Sequence, residues 1–144
     1  MNASRLEWGI RDTFLAYLDA VEAVVEADGA ERSTDGGIAF PIARIGQREL
    51  ETTGRFRARA HGGALDLLIA EPAIVRDPDG WAMHWTSHRG RLLGARLLGA
   101  GPERLDIGSW DFGDVALTAE GAAQFGGNYA PWTRMAPVRL LTGV

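Results

Sequence analysis

The sequence has no cysteine and no lysine, and it is poor in the side chains that most often carry chemistry. Without cysteine, the chain cannot form disulfides, thiolate nucleophiles or cysteine-ligated metal sites. All fifteen basic residues are arginine, and nineteen acidic residues give a net charge of −4, which argues against a general nucleic-acid binder. No apolar run approaches the roughly 18 residues of a membrane helix, so membrane insertion is not expected. Two tyrosines and three histidines remain as candidates for a site.

The chain of 144 residues, 46% of them apolar, is long enough to bury a core, and it predicts a single domain over residues 1–144. Neither a linker nor a low-complexity segment interrupts it. The first residues, MNASRLEWGI, lack the apolar run of a signal peptide. We therefore expect a cytoplasmic protein as the sequence is written, or a cell-surface or secreted one if it is a trimmed domain.

The N-terminal segment predicts a long amphipathic helix. SRLE at residues 4–7 has the form of a capping box, in which Ser4 caps the helix and Glu7 reaches back. Apolar residues follow at three- and four-residue steps, which predicts a helix over residues 4–20. Thr13 and Tyr17 are four residues apart and would share one face of it.

The rest of the chain predicts short strands separated by turns. GRFRARAH alternates between apolar and charged residues, and the apolar LDLLIAEPAIV and WAMHWTSH are separated by the turn DPDG. Thr118 begins a short helix in LTAEGAAQF, and PVRLLTGV is predicted to be an edge strand. The fold class is therefore mainly β (α+β), with antiparallel sheets or a sandwich and the long helix packed on it.

Three segments, taken together and in order, resemble the Htaa-type heme-binding domain of actinobacterial heme-uptake proteins. They are LEWGIRDTFLAYL, AHGGALDLLIAEPAI and LTAEGAAQFGGNYAPWTRMAPVRL. The resemblance runs from about Leu6 to Leu141 and implies a protein that binds and transfers ferric heme b and is not an enzyme. It implies heme as ligand and a heme donor or acceptor protein as a further partner; a homodimer is also open.

The resemblance implies a role for each matching residue. Tyr17 would be the axial ligand of the heme iron, and the imidazole of His61 would hydrogen-bond to it. The Thr13 hydroxyl would contact a propionate, and Tyr129 would line the pocket. Phe14, Trp8 and Trp132 are further candidates for the pocket lining. An anionic oxygen ligand favours ferric heme, which suits capture and transfer.

Other interpretations stay open. Tyr17 could be an ordinary half-buried tyrosine and His61 a surface histidine, and the arginines at 55, 57 and 59 a solvated strand face. The third segment reads YAPWTRMAP, where the family has glycine and aspartate at Trp132 and Ala136. Those departures would suit a relative that has lost heme and serves as an interaction module. A heme-degrading or peroxidase-like enzyme is the other alternative.

Overall fold

A computed structural model describes residues 4–33 and 37–143, and in this part of the chain the strands form one antiparallel sheet. The strands are β1 (Arg5–Trp8), β2 (Val24–Asp28), β3 (Glu31–Arg32), β4 (Ile38–Ile45), β5 (Glu49–Thr52), β6 (Arg55–Ala60), β7 (Leu65–Asp77), β8 (Gly80–Ser87), β9 (Gly90–Leu97), β10 (Trp110–Leu117) and β11 (Arg134–Leu141). The helices are α1 (Asp12–Ala20) and α2 (Ala119–Ala123), with 3-10 turns at His61–Gly63 and Leu105–Ile107.

Eight strands close into a barrel in the order β7-β5-β4-β1-β11-β10-β9-β8, and β8 pairs back onto β7. Outside the barrel, β6 pairs with β7, β2 pairs with β6, and β3 pairs with β4. The prediction of a mainly β, antiparallel fold is confirmed. The predicted sandwich is wrong, because the strands belong to one continuous sheet that curls on itself and not to two stacked sheets.

Strand β7 belongs both to the barrel and to the extension. Its register shifts between Ala70 and Ala73, and Glu71 in this bulge has a φ of 50°. Up to Ala70, β7 pairs with β6, and from Ala73 it pairs with β5 instead; β8 pairs with β7 on both sides of the bulge. A bulge bends the strand that carries it, so β7 can change partners along its length. The end of β6, where His61 follows, is positioned in this way.

The long N-terminal helix is wrong. Residues 5–8 form strand β1, which pairs with β4 on one side and β11 on the other. Leu6 and Trp8 both point into the core, at the two-residue period of a strand. Ile10, at a φ of 55°, turns the chain, and α1 begins only at Asp12. The predicted capping box fails too, because the Ser4 hydroxyl accepts a hydrogen bond from the distant Gly143 amide.

The wrongly predicted N-terminal helix also explains why the position of β11 was predicted wrongly. Strand β11, predicted at an edge, lies between β1 and β10. Its second neighbour is the N-terminal strand that the helix prediction concealed. By contrast, the short helix after Thr118 is confirmed as α2, and the Thr118 hydroxyl accepts a hydrogen bond from the Gly121 amide.

Helix α2 lies close against β9 because both contribute a glycine to the contact. A Cβ atom added at Gly121 would lie 1.9 Å from the carbonyl oxygen of Gly94. This close approach fixes the start of the segment that runs from Gln124 to Tyr129. None of the helices within residues 4–33 and 37–143 is long and apolar enough to span a membrane.

Candidate functional site

Tyr17 and His61 are in contact, although 44 residues separate them in the sequence. Tyr17 is half-buried on α1, and His61 is the first residue after β6. The Tyr17 hydroxyl is hydrogen-bonded to Nε2 of His61, and the two ring centroids are 5.9 Å apart. The hydrogen bond predicted between these two side chains is confirmed.

A left-handed turn presents the imidazole to the helix. His61 has a φ of 55°, Gly62 of 65° and Gly63 of 97°. Glycine adopts this region freely, whereas a residue with a Cβ atom does so at a cost, so the backbone at His61 is strained. A Cβ atom added at either glycine would meet no atom within 4 Å. Both glycines that follow His61 therefore have open space where a side chain would begin.

A cluster of aromatic rings packs beside Tyr17. Phe14 is buried one turn earlier on α1, with its centroid 6.4 Å from that of Tyr17 and 6.2 Å from that of Tyr129. Phe125, fully buried, packs edge-on against Phe14 at 5.2 Å and against Tyr129 at 5.4 Å. The cluster joins the two tyrosines of the chain through a rigid apolar contact.

Tyr129 carries a second, neutral phenol beside a cation. The guanidinium of Arg11 lies over its ring, 5.2 Å from the centroid. Burial raises the pKa of Tyr129, and the charge of Arg11 and hydrogen bonding from Thr13 and Arg11 oppose part of that rise. The structure thus brings Thr13 together with Tyr129. Arg11 was not among the predicted site residues; its signal in the sequence is its place two residues before Thr13 in GIRDTF.

The two candidate tryptophans lie in different surroundings. Trp8 is buried, with its ring 5.6 Å from that of Trp85, and its Nε1 donates a hydrogen bond to the carbonyl oxygen of Ala136 at 3.1 Å. Trp132 is exposed and has a φ of 68°. Among the described ring contacts, neither tryptophan meets the rings of Tyr17 or Tyr129. Their role in a ligand pocket stays a prediction.

The arginines of β6 face carboxylates. Arg57 makes two hydrogen bonds to Asp66, at 3.0 and 2.9 Å, and Arg59 pairs with Glu26 at 2.9 Å. His88 Nε2 lies 2.9 Å from the same Asp66. The hydrogen bonds from Arg57, followed by those of His88, lower the pKa of Asp66 to about 2. This strand face is therefore a network of ion pairs.

The three histidines of the chain lie in different surroundings. His84 is half-buried, and burial is the main cause that lowers its pKa. His88 pairs with Asp66, on the outer side of the sheet. Within the described residues, no group of three or more His, Asp and Glu side chains is placed to hold a metal ion. The arrangement that offers a donor next to open space is the phenol of Tyr17 with His61 behind it.

Comparison with solved structures identifies the same fold in three structures from two proteins of Corynebacterium glutamicum, HtaA and HtaB. The C-terminal domain of HtaA superposes with a TM-score of 0.75 at 18% identity, covering 95% of this chain and 93% of that one. The N-terminal domain of HtaA gives 0.75 at 19%, covering 99% and 98%. The heme binding protein HtaB gives 0.73 at 18%, covering 94% and 90%. The comparison with curated protein sequences finds no match.

The TM-scores establish the shared fold, and the family follows from the sequence itself. The family model described as Htaa matches residues 3–141, nearly the whole chain. The match includes α1, the His61 turn and the segment with Tyr129. The chain belongs to the Htaa family.

Proposed function

We propose that this protein binds ferric heme b through the phenolate of Tyr17, with His61 as the hydrogen-bonding partner of that oxygen. The observation that carries the proposal is the contact between the Tyr17 hydroxyl and His61 Nε2 at the edge of an open turn. Tyrosinate with a supporting imidazole is a recognised way to hold heme iron. The name of the structural relative HtaB, a heme binding protein, supports the same ligand.

The residues present fit a flat macrocycle. Tyr17 offers one oxygen donor, which suits a metal whose four equatorial ligands come from a porphyrin. The open side of Gly62 and Gly63 leaves room for a ring edge, and buried Phe14 with Phe125 supplies a firm apolar floor. Ligand pockets commonly combine such apolar walls with a few oriented polar groups.

Nε2 of His61 is placed to accept the proton that the Tyr17 hydroxyl would lose on binding iron. In the pair without heme, the Tyr17 hydroxyl and Nε2 of His61 share one hydrogen bond, and the tautomer of the imidazole sets which of them donates. When bound, ferric heme would supply a Lewis acid that stabilises the phenolate of Tyr17. With the Nδ1–H tautomer of His61, the phenolic proton would pass to Nε2, which would then donate to the phenolate oxygen. His61 would in this way hold the proton next to Tyr17 and return it when the ligand leaves.

This chemistry favours a carrier over an enzyme. An anionic oxygen ligand stabilises the ferric state, which suits capture and hand-over of oxidised heme more than redox turnover. His61 is exposed, so the hydrogen bond that supports the ligand can be reached from the solvent. We therefore propose binding and transfer as the role, with a second protein as donor or acceptor.

Hemin titration of the purified protein and of two phenylalanine variants tests the proposal. The wild type should give a sharp Soret band with a phenolate-to-iron charge-transfer band, and Tyr17→Phe should lose both. Tyr129→Phe is the matched control, because it removes the chain's other phenol and should keep the charge-transfer band. A broad band of unbound hemin with the wild type, or an unchanged spectrum with Tyr17→Phe, would contradict the proposal.

A further inference from the structure

His88 lies in the turn between β8 and β9, and hydrogen bonds within that turn hold its backbone. The buried hydroxyl of Ser87 accepts a hydrogen bond from the Arg89 amide at 3.1 Å and donates one to the Gly90 carbonyl oxygen at 3.0 Å. Gly90 has a φ of 103°, which glycine adopts freely. The turn therefore presents the His88 imidazole from a fixed place on the barrel.

The imidazole of His88 reaches the hairpin of β6 and β7, whose turn carries His61. Nε2 of His88 lies 2.9 Å from Oδ1 of Asp66. Because the pKa of Asp66 is about 2, its carboxylate is ionised and accepts this hydrogen bond, so Nε2 carries the proton. Asp66 follows Leu65, which forms with Ala60 the last residue pair before the His61 turn. The contact is thus made at the base of that turn.

This contact lies where strand pairing between the hairpin and the barrel has ended. Strand β8 pairs with β7 at Ala70, and no described strand pairs with residues 65–69 on the side opposite β6. The inner face of the hairpin is held by the core, since Leu65 and Leu67 are buried.

On the outer face of the hairpin, the Asp66 carboxylate is held from two sides. Arg57 donates two hydrogen bonds to it, at 3.0 and 2.9 Å, and His88 donates the third described one. Arg57 belongs to β6 and moves with the hairpin. His88 belongs to the barrel, so its hydrogen bond is the one that joins this carboxylate to the barrel.

We propose that His88 is a positioning residue of the heme site, which acts through Asp66 to keep the imidazole of His61 in contact with Tyr17. Its effect on heme rests on the proposed function. Tyr17 lies on α1, so a displaced hairpin changes the distance between its hydroxyl and His61. A hydrogen bond weakens steeply as its distance and angle depart from the optimum, so a small displacement is enough.

Nuclear magnetic resonance of the heme-free protein tests the positioning without heme. The chain has three histidines, so the imidazole signals can be assigned by substitution. We expect His88→Ala to move the His61 imidazole signals toward those of Tyr17→Phe, in which the phenol contact is absent. Arg89→Ala is the matched control, because it alters an exposed side chain of the same turn and should leave these signals unchanged. Thermal unfolding of each variant checks the fold.

The rate of heme loss from the hemin complex to an excess of apomyoglobin tests the consequence. We expect His88→Ala to lose heme about threefold faster, a smaller effect than removal of His61 itself, because the contact is indirect and partly exposed. His88→Gln should restore most of the retention, since its amide can donate to Asp66 as Nε2 does. In a His61→Ala background, His88→Ala should change heme loss less than 1.5-fold, or about 0.2 kcal/mol.

Three results would overturn the positioning role. They are wild-type His61 signals in heme-free His88→Ala, wild-type heme loss from its complex, and a threefold effect of His88→Ala that persists without the His61 imidazole. The last result would indicate a structural role for His88 that is independent of His61.

Failure of the proposed function gives a different result. If the wild type binds no hemin, the proposed function fails, and the His61 signals of the heme-free variants still decide whether His88 positions the imidazole. If Tyr17→Phe loses the charge-transfer band while His88→Ala behaves as the wild type, ligation by Tyr17 stands and the positioning role fails.

Discussion

Replacing His61 by alanine or by glycine separates the two roles that the structure gives this residue. Both substitutions remove the imidazole that contacts Tyr17. Only glycine also relieves the backbone, because His61 has a φ of 55° and glycine accepts that value freely. The two variants should therefore behave alike toward heme and differently in stability.

The expected changes in heme loss and in stability follow from the lost hydrogen bond and from the relieved backbone strain, respectively. Loss of the hydrogen-bonding partner of a metal ligand typically costs 10- to 100-fold in affinity. We expect about tenfold faster heme loss from both variants, the lower end, since His61 is exposed. A side chain with a Cβ atom in the left-handed region costs about 1–2 kcal/mol. His61→Gly should therefore be more stable than His61→Ala by about 1 kcal/mol, or about 3 °C in Tm.

Heme loss is measured by transfer to an excess of apomyoglobin, and stability by thermal unfolding of the heme-free proteins. Wild-type heme retention in either variant would refute the role of the imidazole. Heme loss that differs strongly between the two variants would show that the shape of the turn, not the imidazole, controls retention. Equal stabilities would refute the backbone strain.

Two further predictions concern the scaffold. Gly121→Ala should lower stability by about 2 kcal/mol, because its Cβ atom would lie 1.9 Å from the Gly94 carbonyl oxygen; Gly46→Ala, which meets its neighbours at 3.6 Å, should change stability little. In the folded protein the pKa of Asp66 is about 2, below its value of about 3.9 in the unfolded chain, so its ion pair with Arg57 stabilises the fold above pH ~4 and is lost toward pH 2. On acidification, Asp66→Asn should lose about 1–2 kcal/mol less free energy of unfolding than the wild type, after allowance for solvent screening.

Chemical denaturation measures the free energy of unfolding for both sets of variants. Equal stabilities of Gly121→Ala and the wild type would show that α2 can move away from β9 without cost. For Asp66→Asn, the free energy of unfolding is followed from pH 5 to the lowest pH at which the fold persists. A profile parallel to that of the wild type below pH ~4 would contradict the role of this carboxylate.

The strands with clear alternation were predictable from sequence, and the N-terminus was not. In β6, Phe56 and Ala58 are buried between outward-facing arginines, as the pattern predicts. Residues 6–18 fit a helical period, yet Leu6 and Trp8 also fit the period of a strand. Pairing with β4 and with β11, the latter across more than 100 residues, decides between them, and pairing between distant segments has no local signature.

The residues of the candidate site were likewise predictable only in part from the sequence. Periodicity placed Thr13, Phe14 and Tyr17 near one another on a helix, and that helix is present. Nothing in the local pattern links Tyr17 to His61; the family resemblance did, and the hydrogen bond confirms it. Arg11 escaped notice because its contact with the Tyr129 ring depends on how α1 meets the segment after α2.

The most direct test of the central claim is resonance Raman spectroscopy of the hemin complex, with excitation in the phenolate-to-iron charge-transfer band. The account predicts tyrosinate ring modes and an iron–phenolate stretch in the wild type and in Tyr129→Phe, and their absence in Tyr17→Phe. Tyrosinate modes that persist in Tyr17→Phe, or that never appear in the wild type, would show that the phenol of Tyr17 does not hold the iron.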